Sequence, residues 1–127
     1  MNDNVVAMNQ GFVGNVRELR VYRRAFELSL EVHKASLEFP KIEQYALADQ
    51  LRRSSKSVCA NLAEGFSRQA QSGPEFNRFL SIAMGSANEA LVWTEYALAL
   101  GYIGQDQFDR WADGFDHVAK MLQNLKK

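Results

Sequence analysis

Val21, Ala25, Leu28, Val32, Ala35 and Phe39 follow one another at intervals of 4, 3, 4, 3 and 4 residues. An α-helix returns to the same side every 3.6 residues, so this spacing lays all six on one seam, and a strand cannot. The pattern recurs near the end of the chain, where Phe108, Trp111, Phe115, Val118, Leu122 and Leu125 again alternate steps of 3 and 4. Between these segments, Leu51, Val58, Leu62 and Phe66 form a third apolar stripe, and Phe76, Leu80, Ala83, Ala87, Leu91 and Leu98 a fourth. No segment with a period of two competes. The chain is therefore expected to be all-α.

Punctuation sets the expected bounds. Pro40 stops the first helix because it lacks an amide hydrogen and disfavours helical geometry in the residue before it. Ser72 with Glu75 three residues on suits a capping box, and Pro74 suits a first turn. Gly101 suits a left-handed C-terminal cap. Asp106 and Asp109 at the start of the last helix, and Lys126 and Lys127 at its end, complement the helix dipole. Residues 1–16 read as a flexible arm and 17–127 as one domain, with helices at 17–39, 44–69, 74–100 and 105–126. Short links between long helices predict an antiparallel up-down-up-down four-helix bundle; a long helical hairpin is the alternative.

The chain holds 15 Lys and Arg against 15 Asp and Glu, so no overall basic charge marks a nucleic-acid binder. Its single cysteine, Cys59, excludes an intrachain disulfide and fits a reducing compartment. The N-terminus lacks the basic and apolar regions of a signal peptide. No stretch approaches the ~20 apolar residues of a membrane span. A cytoplasmic location without membrane contact is expected.

There is more apolar surface than one bundle core requires. The first helix carries a second row, Tyr22, Phe26, His33 and Leu37, and the third carries Ile82, Trp93, Tyr96 and Leu100. A helix apolar nearly all round is buried on more than one side. Two readings follow: a thick monomer core, or a homo-oligomer that covers the second faces, which large exposed patches favour. Gly85 and Ser86 on the third helix, and Ala60 and Ala63 on the second, leave room for a neighbouring helix.

Residues 50–68, "QLRRSSKSVCANLAEGFSR", hold the chain's most distinctive mixture. Arg53, Ser57, Asn61, Glu64 and Arg68 make a polar ridge, in which Asn61 and Glu64 are expected to fix packing between helices. Arg20, Arg23, Arg24, Arg52, Arg53, Lys56 and Arg68 are candidate phosphate contacts. Residues 17–69 hold ten Lys and Arg against seven acids, while residues 70–127 hold five against seven.

Several segments carry a resemblance: "LRVYRRAFELSLEVHKAS", "FPKIEQYALADQLRRSSKSVCANLAEGFSR", "EFNRFLSIAMGSANEA" and "ALALGYI". Its most specific pieces are Gln50-x-Arg52-Arg53, Asn61-x-Ala63-Glu64-Gly65, and Phe79-Leu80 leading to Gly85-Ser86. Over residues 19–125 the chain resembles the bacterial 23S rRNA-intervening-sequence family. That resemblance implies a homopentameric ring of antiparallel four-helix bundles. It also makes RNA or DNA a plausible partner, because a related accessory protein of diversity-generating retroelements works with a reverse transcriptase. Ser54, Ser55 and Cys59 stand where relatives often carry more apolar residues.

The expected function is non-enzymatic: an oligomeric nucleic-acid-binding or accessory factor acting through a basic surface on the first two helices. The alternative is a scaffold for a protein partner that never touches nucleic acid, for which Trp93, Tyr96 and Trp111 would matter more than the arginines. Catalytic, metal and cofactor sites are not expected. His33 and His117 are the only histidines, and Asp113 with His117 leaves a metal site incomplete. A lone helical cysteine such as Cys59 is usually a small buried hydrophobe.

Overall fold

The computed structural model describes residues 15–68 and 73–127. Among them lie four α-helices and no strand: α1 (Arg20–Ser36), α2 (Leu47–Arg68), α3 (Gly73–Ala99) and α4 (Gln105–Leu125). Most of the arm, and the Gln69 and Ser72 bounds expected for the second and third helices, lie outside the described residues. None of the described helices is long and apolar enough to cross a membrane.

The helices begin and end where local chemistry allows. Asn15 accepts a hydrogen bond at 2.9 Å from the Arg17 amide and opens a 3-10 turn over Val16–Glu18. Leu19 then turns extended, with ψ 135°, which delays the α-helix from the expected residue 17 to Arg20. The detour buries both Val16 and Leu19 in the core. After Ser36 the chain turns through Leu37–Phe39 and makes a second 3-10 turn, Lys41–Glu43, so α2 starts at Leu47 rather than near Gln44. Gly101, at φ 80°, ends α3 as its sequence predicts. The Tyr102 amide bonds the Ala97 carbonyl at 2.8 Å and the Gly101 amide bonds Leu98 at 3.0 Å, satisfying two carbonyls of the last turn.

α1 packs on α2 and α4, and α3 packs on the same two, so α1 and α3 stand diagonally across a shared core. The seams meet in two clusters. One gathers Val21, Ala25, Val58, Leu62, Leu80, Ala83, Val118 and Leu122. The other gathers Leu28, Val32, Ala48, Leu51, Ala90, Ala97, Trp111 and Phe115. Burying each valine, leucine or phenylalanine supplies about 1.5–3 kcal/mol before entropy is counted, and this apolar burial holds the four helices together.

Polar groups inside the core are short and satisfied locally. Ser29, Ser36, Ser54, Ser55 and Thr94 are buried, and each donates to a carbonyl one turn earlier on its own helix. Small side chains of this kind let helices approach without stranding a polar group. Gly65 does the same more sharply, since a Cβ there would stand 2.8 Å from Phe79 Cβ on α3.

Candidate interaction surfaces

The basic residues of α1 and α2 are separated by the fold into distinct places. Arg52 is half-buried at the α1–α2 connection. Its guanidinium donates to Ser36 Oγ at 2.9 Å, Gln44 Oε1 at 3.3 Å and the Gln44 carbonyl at 2.8 Å. Gln44 Nε2 in turn donates to the Ser36 and Phe39 carbonyls, each at 2.9 Å, capping the end of α1. These bonds use the flat fork of an arginine to clamp a turn, and they direct Arg52 into the chain rather than outward. Sequence reasoning missed Gln44. Its only signal was a glutamine shortly after the helix-stopping proline.

Arg53 and Lys56 face solvent on the next turn of α2. Arg53 Nε lies 2.9 Å from Asp49 Oδ2, a pair exposed enough to contribute little to stability. Lys56 Nζ donates to His33 Nδ1 at 2.9 Å, bridging α2 to α1. The Lys56 ammonium, together with desolvation and the more distant Arg52, holds the His33 imidazole below its ordinary pKa. A neutral imidazole is what the bond requires, because Nδ1 must accept.

Arg68 stands sixteen residues beyond Arg52, roughly 24 Å along the helix. It pairs with Glu64 at 2.9 Å and lies over the Phe79 ring at 5.3 Å, with Arg78 over the same ring at 4.7 Å. Arg20, Arg23 and Arg24 are exposed on α1. Arg24 reaches toward Gly114 on α4, where its guanidinium would lie 3.6 Å from an added Cβ. Arg23 instead lines an open groove of about 460 Å³ with Arg17, Tyr22, Phe26, Glu27 and Leu30. The structure thus brings together Arg52, Lys56 and His33 at one place and Arg23 with the α1 aromatics at another.

The residues expected to govern assembly divide similarly. Asn61 donates to the carbonyl and hydroxyl of Ser57, both at 2.9 Å, so its bonds stay within α2. The crossing to α3 is made by Ser86 Oγ, which donates to Ser57 Oγ at 2.9 Å. Glu64 is exposed and spends its carboxylate on Arg68 of the same helix. Ala60 is exposed, whereas Ala63 packs against the core from its margin. Gly85 faces open space.

Two apolar stripes remain outside the core. Phe26 and Leu30 on α1 and Leu37 just past its end are exposed, with Tyr22 stacked on Phe26 at 6.1 Å. Ile82, Val92 and Tyr96 on α3 and Leu100 just past its end are exposed, and Trp93 lies 5.9 Å from Tyr96. Trp93 Nε1 donates to Glu89 at 3.1 Å, which leaves its ring face against the stripe and its polar edge satisfied. Leu30 and Val92 extend the two rows noted in the sequence.

Cys59 is buried, its Sγ 3.8 Å from the Tyr22 carbonyl, and burial pushes its thiol up to about 12. Trp111 is fully buried, with its indole N–H 3.3 Å from Glu31, so it belongs to the core rather than to a docking face. Asp113 and His117 are exposed on α4. Among the described residues no group of three or more His, Cys, Asp or Glu converges as a metal site would.

A family model described as 23S rRNA-intervening sequence protein matches residues 17–124. Among solved structures, the chain is similar to a protein of unknown function from the S23 ribosomal protein family of Bacteroides thetaiotaomicron VPI-5482. That likeness has a TM-score of 0.73 at 26% identity and covers 84% of this chain and 98% of the other. No curated protein matches the chain significantly.

Proposed function

The chain belongs to the 23S rRNA-intervening sequence protein family, and we propose that it is a non-enzymatic protein that works as a homo-oligomer. The observation that carries this reading is the pair of apolar stripes left outside the core, with Tyr96 and Leu100 each 53% exposed. Surfaces of this kind gain from being covered, at roughly 25 cal/mol per Å² of apolar area. The assembly is a cytoplasmic ring of antiparallel four-helix bundles, five being the number the family resemblance implies. The antiparallel course is supported by the make-up of the core: one cluster draws on the first halves of α1 and α3 and the second halves of α2 and α4. It is supported as well by Asn77, near the start of α3, which exchanges hydrogen bonds at 2.9 and 3.0 Å with Lys127, just past the end of α4.

Native mass spectrometry tests the assembly. A single species at a whole multiple of 14.4 kDa, five-fold for the ring, is the expected result. A monomer at micromolar concentration overturns it.

A second reading, that the oligomer is a nucleic-acid-binding accessory factor, is favoured by one observation. The His33 imidazole sits in a positive field created by Lys56 and Arg52, and a ring repeats that field around its axis. Weak phosphate contacts multiplied in this way become avid. Arg53 and Lys56 are the residues to remove, since Arg52 holds the α1–α2 turn. The double variant Arg53→Ala/Lys56→Ala is expected to lose most RNA or DNA affinity in fluorescence anisotropy, and wild-type affinity is expected to fall steeply with added salt. Equal affinity at low and moderate salt would exclude phosphate recognition and leave a scaffold for protein partners.

A further inference from the structure

We infer that copies of this chain associate head to tail, the apolar stripe of α1 on one copy seating against the apolar stripe of α3 on the next. This rests on the self-assembly reading above and adds which surfaces meet.

The two stripes lie on helices that stand diagonally across the bundle. Each is built the same way, from a pair of neighbouring aromatics with aliphatic residues a turn or more away: Tyr22 and Phe26 on α1, Trp93 and Tyr96 on α3. Their charges, however, are opposite. The α1 groove is edged by Arg17 and Arg23, with Glu27 as its only acid. Residues 79–99 of α3 carry Glu89 and Glu95 and no lysine or arginine. Glu89 falls within the α3 stripe, seven residues after Ile82 and seven before Tyr96, and it takes a hydrogen bond from Trp93 but no salt bridge from a described residue. Arg23 likewise has no salt bridge to another described residue.

Pairing like with like is therefore disfavoured. An α1–α1 contact crowds arginines together, and an α3–α3 contact crowds the Glu89 carboxylates, each repulsion sharpened by desolvation at an apolar interface. Pairing α1 with α3 sets Arg17 and Arg23 against Glu89 and covers both aromatic pairs. A contact between two different patches is heterologous. It leaves one of each patch unsatisfied at the ends of any short chain of copies, so association continues until the ends meet in a ring or the chain extends as a filament.

The test uses two chains, each damaged on one stripe: Phe26→Asp and Tyr96→Asp. Both side chains are about half exposed, so folding is expected to survive, as far-UV circular dichroism checks; Leu30→Asp and Ile82→Asp replace either variant that unfolds. Each variant alone is expected to run as a 14.4 kDa monomer in native mass spectrometry. Mixed in equal amounts they are expected to give a one-to-one dimer and nothing larger, because one intact α1 stripe then meets one intact α3 stripe. As a second measure, Arg23→Glu and Glu89→Arg are each expected to weaken assembly at least tenfold, and their combination in one chain to restore it. Wild-type assembly by either aspartate variant, failure of the mixed pair to dimerise, or a wild-type chain that stops at a dimer overturns the head-to-tail contact while leaving self-assembly intact. A monomeric wild-type chain overturns both.

Discussion

His33 and Arg52 show how a side chain's role is set by what folds beside it. The Lys56 ammonium beside His33 favours the neutral imidazole, so the group binds its proton less readily in the folded chain than its ordinary value of 6.5 allows. The sign of the linkage follows directly. Above pH 6.5 the ring is neutral in both states and the Lys56 bond is intact. As pH falls below that value the unfolded chain takes the proton first, so stability is lost until the folded ring also titrates. Chemical denaturation is expected to show lower stability at pH 5.5 than at pH 7.5, and the difference is expected to shrink in Lys56→Ala. In an NMR titration the same variant is expected to move the His33 midpoint up. An unchanged midpoint would remove Lys56 as the cause. Arg52 looks like a surface cation in the sequence, but its partners Ser36 and Gln44 come from the turn that α2 folds back upon. Phosphate contact through the same guanidinium would mean giving up those bonds.

α2 and α3 come close together at Gly65. Its Cβ position lies 2.8 Å from Phe79 Cβ and 3.4 Å from the Phe76 carbonyl, atoms that cannot swing away as the tip of a long side chain can. Gly65→Ala is expected to force the two helices apart. The overpacking costs about 1–3 kcal/mol, against about 1 kcal/mol returned by alanine's better helix propensity. Gly114 on α4 provides the control. Its nearest neighbours are the terminal methyls of Leu28, at 2.9 and 3.2 Å, which can rotate. Urea denaturation is expected to show a net loss for Gly65→Ala and a clearly smaller one for Gly114→Ala; the reverse order would mean that the α2–α3 contact has slack. The helix termini follow a comparable division. Gly101 and the helix it ends are legible as local chemistry. The start of α1 at Arg20 is not, because Leu19 leaves the helical path to fill a core assembled from three other helices.

For the molecule as a whole, the question is what covers the surface left over when four seams have met. If the assembly is obligate, folding and association are linked, and the melting temperature is expected to rise with protein concentration, which a monomer's would not. The two aspartate variants are expected to lose this dependence when alone and regain part of it when mixed.

Periodicity is a local property, since it records which side of each helix is apolar. From it the sequence by itself determined the all-helical class, the four helices, the core seams and the second apolar rows on α1 and α3. Charge at a given side chain is not local in the same way. Whether Arg52, Arg53, Lys56 and Arg68 form one patch depends on how far each helix is rotated about its axis and which neighbour it meets. Only the tertiary structure decided that Arg52 clamps a turn, that Lys56 reaches His33 twenty-three residues away, and that Arg68 lies over Phe79 on another helix. It also decided that Asn61 bonds within its own helix while Ser57 and Ser86 make the crossing. Packing of the apolar seams fixes those rotations, and the polar residues take whatever partners the rotations bring within reach.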